Sequence, residues 1–113
     1  EPHIGRIIQL KLEESAYRVE LAYDGRSALE RLRSPDRIDL VLLDIMMPHA
    51  SGFEVLEALR ALPHRQATPV IMLTAKGQEA DRERARELGA TDFLTKPFSP
   101  KKLLARIDEI FTS

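Results

Sequence analysis

The sequence predicts a doubly wound α/β domain, a parallel β-sheet covered by helices on both faces. Three observations carry this. Helical and strand-like apolar patterns alternate along the chain, and the connections between them are short. Two runs, Leu40-Val41-Leu42-Leu43 and Val70-Ile71-Met72-Leu73, are continuously apolar, as strands buried on both faces of a parallel sheet are. Such alternation implies parallel strands joined by right-handed helical crossovers.

The elements follow in order. Ile4, Ile7, Ile8 and Leu12, spaced by three and four, form one helical stripe ending near Ser15. Tyr17, Val19 and Leu21 alternate with Arg18, Glu20 and Ala22, so a short strand is expected there, closed by Asp24-Gly25 as a turn. A helix follows over 25–32 with Ala28, Leu29 and Leu32 inward, ended by Ser34-Pro35. After the strand at Leu40, a loop containing Pro48 leads into a helix with Phe53, Val55, Leu56, Leu59 and Leu62 on its apolar face, stopped by Pro63.

The second apolar strand runs from Pro69 to a polar end at Thr74. Residues 78–88 interleave charges, with Glu79, Asp81 and Glu83 each three before an arginine, which suits pairing on a helix surface. Its inward residues are Ala80, Ala85 and Leu88, and Gly89 is its stop. A last strand is expected over 91–95. The final helix carries Leu103, Leu104, Ile107, Ile110 and Phe111.

At 113 residues the chain has the size of one domain, able to bury a single core without disulfides or metals. Its 17 basic and 18 acidic residues leave a formal net charge of -1, which argues against a polyanion surface and direct nucleic-acid binding. There is no cysteine, hence no disulfide scaffold or thiolate metal site. No apolar run approaches a membrane span or a signal peptide, so a cytoplasmic domain with no membrane partner is expected.

Chemistry concentrates at one edge. Two strands end in Asp44 and Thr74, a third is followed by Lys96, and parallel neighbours bring these ends together where ligands of open α/β sheets bind. A carboxylate can attack phosphorus, a hydroxyl can donate to a phosphoryl oxygen, and an ammonium can balance its charge. Phosphoryl transfer requires little beyond such positioning and a divalent metal.

These residues resemble the receiver domain of bacterial two-component response regulators. The resemblance spans essentially the whole chain and rests on Leu42-Leu43-Asp44-Ile45-Met46-Met47-Pro48 with Gly52, on Leu73-Thr74-Ala75, on Gly89-Ala90-Thr91-Asp92-Phe93 and on Lys96-Pro97-Phe98. It implies a flavodoxin-like (CheY-like) fold and a single receiver domain over 1–113. Asp44 would accept a phosphoryl group from a histidine kinase or phosphotransfer protein, with Thr74 and Lys96 bonding phosphoryl oxygens. Mg2+ would be held by Asp44 and the backbone carbonyl of Met46. Thr74 and Phe93 would form the switch, although Phe93 also suits an ordinary core aromatic. Pro97 would fix the direction of Lys96, and Met46 and Lys76 would border the site and control water approach. The chain would act as a phosphoacceptor, not as an enzyme.

The resemblance departs at the start. In the family the first strand ends in an acidic pair that holds magnesium, and Glu1-Pro2 resembles the residues just after that pair. The expectation is a sheet lacking its first strand, a metal site with few protein ligands, and open strand edges that favour a homodimer or strand swap. In the winged-helix class of regulators a dimer face includes an ion pair that Asp92 and Arg106 match, whereas Arg82 opposite Lys102 and Glu87 opposite Asp108 are like charges. His3, His49 and His64 lack a second ligand at metal spacing and read as surface residues. Two competing readings are a pseudo-receiver that only binds partners, and, more distantly, a haloacid-dehalogenase-like phosphatase. The latter needs a second Asp where Met46 stands.

Overall fold

The structure is a computed structural model and describes residues 2–22, 24–45, 51–74, 79–95 and 99–112, with the side chains of residues 2–5 and 74 outside that description. The element order is α1 (Pro2–Glu14), α2 (Gly25–Arg33), β1 (Val41–Asp44), α3 (Gly52–Ala61), a 3-10 turn (Pro63–Arg65), β2 (Val70–Thr74), α4 (Glu79–Glu87), β3 (Asp92–Thr95) and α5 (Pro100–Thr112). The chain divides into two compact units, Tyr23–Lys96 and the chain ends Glu1–Ala22 with Pro97–Ser113.

The unit Tyr23–Lys96 contains a parallel sheet in the order β1-β2-β3. Leu43 pairs with Met72, and Met72 with Phe93, so one register row crosses all the strands. The apolar continuity of β1 and β2 follows from their place against the core. Val55, Leu56 and Leu59 of α3 and Val70 and Met72 of β2 are fully buried, and Leu32, Leu43, Ile45, Phe53, Ala85 and Phe93 complete the cluster. α2 packs on α3, and α3 on β1. Side-chain caps define the helix starts: Asp24 accepts from the Ser27 N–H and Ser51 from the Glu54 N–H, satisfying donors that a helix start leaves open.

The amino ends of the strands are tied by polar contacts. The Thr91 N–H donates to the Val70 carbonyl at 2.8 Å, and Thr91 Oγ1 accepts from the Val70 N–H at 3.1 Å. Arg65, only 3% exposed, donates to the carbonyls of Leu32, Ser34 and Asp36. A buried cation is tolerated here because it meets several carbonyls at and beyond the negative end of α2. Arg60 extends this link, donating to the carbonyls of Arg65 and Gly89; its burial lowers its pKa. Gly89, at φ 94, turns the chain out of α4 through a left-handed conformation that suits glycine.

In the second unit α1 packs on α5. Ile8 and Leu12 of α1, and Leu103 and Ile107 of α5, are buried. The Tyr17 hydroxyl donates to Asp108, and its ring lies 5.6 Å from that of Phe111.

Several expectations need correction. Residues 17–22 form no strand. The alternation is present, but strand formation also requires a ladder, and the segment has none with the described residues. The expected inward stripes are narrower than the sequence suggests. Ile7 is exposed because Ile8 and Leu12, four apart, define the covered face of α1. Ala80 is exposed because five helical positions turn it about 140° from buried Ala85. Phe111 is 42% exposed, lying against Tyr17 instead of within the core. Of the surface pairs expected on α4, Glu83–Arg86 forms at 2.7 Å. Arg82 and Arg84 instead place their guanidinium groups over the rings of Phe93 and Phe53.

Candidate functional site

β1 ends in Asp44, half-buried at the carboxyl edge of the sheet. Asp44 pairs in register with Leu73, and Thr74 is the next residue of β2. The expectation that Asp44 and Thr74 share an edge is therefore met by the backbone. Thr95, which the sequence reading passed over, pairs with Thr74 and ends β3 at the same edge.

The backbone around Asp44 is held from two sides. On one, the Ile45 N–H donates to the Leu73 carbonyl at 3.0 Å, continuing the ladder past the carboxylate. On the other, the Gly52 N–H donates to the Ile45 carbonyl at 2.8 Å, so the chain leaving at Ile45 is tied to its return at α3. This approach requires glycine. A Cβ on Gly52 would fall 2.8 Å from the Ile45 Cα and closer still to the Asp44 carbonyl oxygen. Gly52 entered the sequence reading only as part of a motif, because a spacing does not show which backbone a glycine will touch.

Phe93, the expected switch aromatic, lies on β3 and is buried, with the Arg82 guanidinium 5.0 Å from its ring centroid. Phe53, next to Gly52, has the Arg84 guanidinium at 4.5 Å. Both arginines belong to α4. Met46, Lys76, Lys96 and Pro97 lie outside the described residues, as does the side chain of Thr74, so the hydroxyl and ammonium roles rest on the sequence.

Among the described residues no group of three or more His, Cys, Asp or Glu could hold a metal ion. Asp44 offers a hard carboxylate oxygen, the donor type magnesium takes. His64 is exposed, with its Nε2 3.0 Å from the Ser34 carbonyl; His49 and the side chain of His3 lie outside the description. Asp92 accepts from the Phe93 N–H at 2.8 Å, and Arg106 pairs with Glu109 at 3.3 Å. No described helix is long and apolar enough to cross a membrane.

Comparison with known proteins adds identity to this geometry. The family model described as the response regulator receiver domain matches residues 1–108. The transcriptional regulatory protein CpxR of Escherichia coli is 50% identical over 99 residues, covering 88% of this chain and 40% of CpxR. The chain thus spans less than half the length of that relative. Among solved structures, the chemotaxis protein CheY4 of Vibrio cholerae superposes with a TM-score of 0.90 at 33% identity, covering 96% of this chain and 90% of that one. The receiver domain of the sensor histidine kinase PA1611 from Pseudomonas aeruginosa, with a magnesium ion coordinated in its active-site cleft, has a TM-score of 0.89 at 30% identity, covering 100% of this chain and 92% of that one. With its parallel sheet, its helices and the carboxylate at the end of β1, the chain belongs to the response regulator receiver domains, phosphoacceptor modules of two-component signalling on a flavodoxin-like fold.

Proposed function

We propose that Asp44 is the phosphoacceptor of this chain, within a single receiver domain formed by residues 1–113. The observation that carries this is the position of Asp44 at the carboxyl end of β1, its backbone held by Leu73 and closed upon by Gly52. A carboxylate oxygen of Asp44 attacks the phosphorus of a phosphohistidine on a partner kinase. The new P–O bond forms as the P–N bond breaks, and the imidazole nitrogen keeps the electron pair. Thr74 bonds one phosphoryl oxygen and Lys96 another, fixed in direction by Pro97.

Asp44 and the carbonyl of Met46 would hold Mg2+, with water completing its shell. When bound, the ion supplies charge neutralisation for the transferring group. The magnesium coordinated in the PA1611 receiver domain supports this reading. Met46 and Lys76 border the acyl phosphate and set the approach of water, hence its lifetime. Phe93 and Thr74 transmit the new charge to the rest of the domain. A cytoplasmic location and a DNA-binding output outside these residues fit the transcriptional regulators that the chain resembles.

The competing reading is a pseudo-receiver that only binds partners. The same experiment separates the readings. Incubation with acetyl phosphate and magnesium, followed by intact mass, should add one phosphoryl group to the chain and none to Asp44→Asn, and chelation of magnesium should suppress the addition. Equal labelling of both proteins would overturn the assignment of Asp44. Labelling of neither would favour the pseudo-receiver.

A further inference from the structure

β3 ends in Thr95, one residue before Lys96 in the sequence. Thr95 is half-buried, and its hydroxyl has no hydrogen-bond partner among the described residues. The strand register fixes what stands beside it, because residues paired across neighbouring strands share a face of the sheet. The row Leu43, Met72 and Phe93 belongs to the buried cluster, and the row two residues further on shares that face. That row holds Ile45, Thr74 and Thr95. Thr74 pairs with Thr95, and the Ile45 N–H, donating to the Leu73 carbonyl, carries the β1 register one step past Asp44. Ile45 is buried and aliphatic. Thr74 therefore has an apolar register neighbour toward β1 and a hydroxyl-bearing one toward β3.

Strand spacing decides how Thr95 can act. Neighbouring strands lie about 4.8 Å apart, so β3 stands about 9–10 Å from β1, whose last residue is Asp44. That is too far for Thr95 to bond a group carried by Asp44 directly, whereas Thr74 on the intervening strand is one spacing from each. A hydroxyl that gives its proton to a phosphoryl oxygen keeps two lone pairs with which to accept. Accepting a hydrogen bond strengthens the one it donates, and threonine pairs on neighbouring strands bond favourably in this way.

We propose that Thr95 is a positioning residue for phosphoryl transfer: when a phosphoryl group stands on Asp44, the Thr95 hydroxyl donates to Thr74 Oγ1 and so directs the Thr74 proton at a phosphoryl oxygen. This rests on the reading of Asp44 as phosphoacceptor and of Thr74 as its hydroxyl partner. Thr95 touches no reacting atom. Its effect passes wholly through Thr74, which gives it a signature that a packing role lacks.

The test is the affinity of the whole chain for beryllofluoride with magnesium, a phosphoryl probe, compared between wild type, Thr95→Val and Thr95→Ser. Valine keeps the β-branched shape and removes the hydroxyl; serine keeps the hydroxyl and removes a methyl group. Thr95→Val should bind the probe about tenfold more weakly than wild type, and Thr95→Ser within about twofold of it. Packing alone predicts the reverse order, because valine suits a strand better than serine does. In a Thr74→Val background, Thr95→Val should weaken binding no further, as expected for residues acting through one another. Wild-type affinity in Thr95→Val, an equal loss in Thr95→Ser, or a full tenfold loss from Thr95→Val in the Thr74→Val background would each overturn the role of Thr95 while leaving Asp44 in place. Binding that persists in Asp44→Asn, or that wild type lacks, would overturn the reading of Asp44, and the phosphoryl role of Thr95 would fall with it.

Discussion

α3 and α4 have similar lengths and both pack within the unit Tyr23–Lys96, yet they are attached by different physics. α3 buries Phe53, Val55, Leu56 and Leu59 in the central cluster, and its first residue is pressed against the Asp44 backbone. α4 buries only Ala85 within its bounds, and its other described anchors are two arginines over aromatic rings and half-buried Leu88 just beyond its end. Aliphatic burial is worth roughly 25 cal/mol per Å² and is lost only when the core opens. A cation over a ring is worth about 0.5–1 kcal/mol at such sites and yields locally. The helix that braces the site is thus held by its place in the core, and α4 largely by contacts at its surface.

This contrast can be broken at its strongest point first. Leu59→Ala should cost about 2–5 kcal/mol, because the side chain is fully buried and the cavity cannot collapse freely. Leu88→Ala, at a half-buried position following α4, should cost about 1 kcal/mol. Urea midpoints of the two variants measure the difference, and equal losses would mean that α4 is as deeply anchored as α3.

Gly52→Ala probes the point where α3 meets the site. The added methyl must displace the Asp44 carbonyl or the start of α3, which should cost about 1–3 kcal/mol. It should also slow labelling by acetyl phosphate well beyond what a Leu59→Ala variant of comparable stability shows. Labelling at the wild-type rate would mean that the placement of the Asp44 backbone does not limit the reaction.

The smallest expected effect lies in the other unit and extends the comparison to α5, a helix with both a buried stripe and a polar tie. The hydrogen bond to Asp108, followed by burial and the Asp108 charge, raises the Tyr17 pKa above the ordinary 10.0. Because the folded-state value is raised, the tie contributes fully below the ordinary tyrosine value and is lost as pH climbs through the folded one. An absorbance titration should show one tyrosine ionising late, and Tyr17→Phe should remove both that step and the matching alkaline loss of stability. A Tyr17→Phe protein with the wild-type alkaline profile would assign that loss to another group.

Much of the site was legible because its chemistry is carried by local order along the chain. Asp44 after four apolar residues could be placed at a strand end from periodicity alone, and the motifs around Thr74, Phe93 and Lys96 gave the resemblance. Gly52 was visible as a letter but not as a contact, since its meaning depends on the carbonyl eight residues earlier. The roles of Arg82 and Arg84 were misread as surface pairing because spacing along a helix cannot show what lies across from it.

By itself the sequence determined which segments are helical, which are apolar enough to be central strands, and which residue types stand at the edge of the sheet. Each of these depends on patterns within one element. Only the tertiary structure decided that residues 17–22 lack a ladder, that Arg65 satisfies three carbonyls from one buried site, and that α4 rests on two aromatic rings. The physical reason is common to all of them. A ladder, a buried charge and a cation over a ring are each completed by a partner from another element, and that partner is chosen by packing.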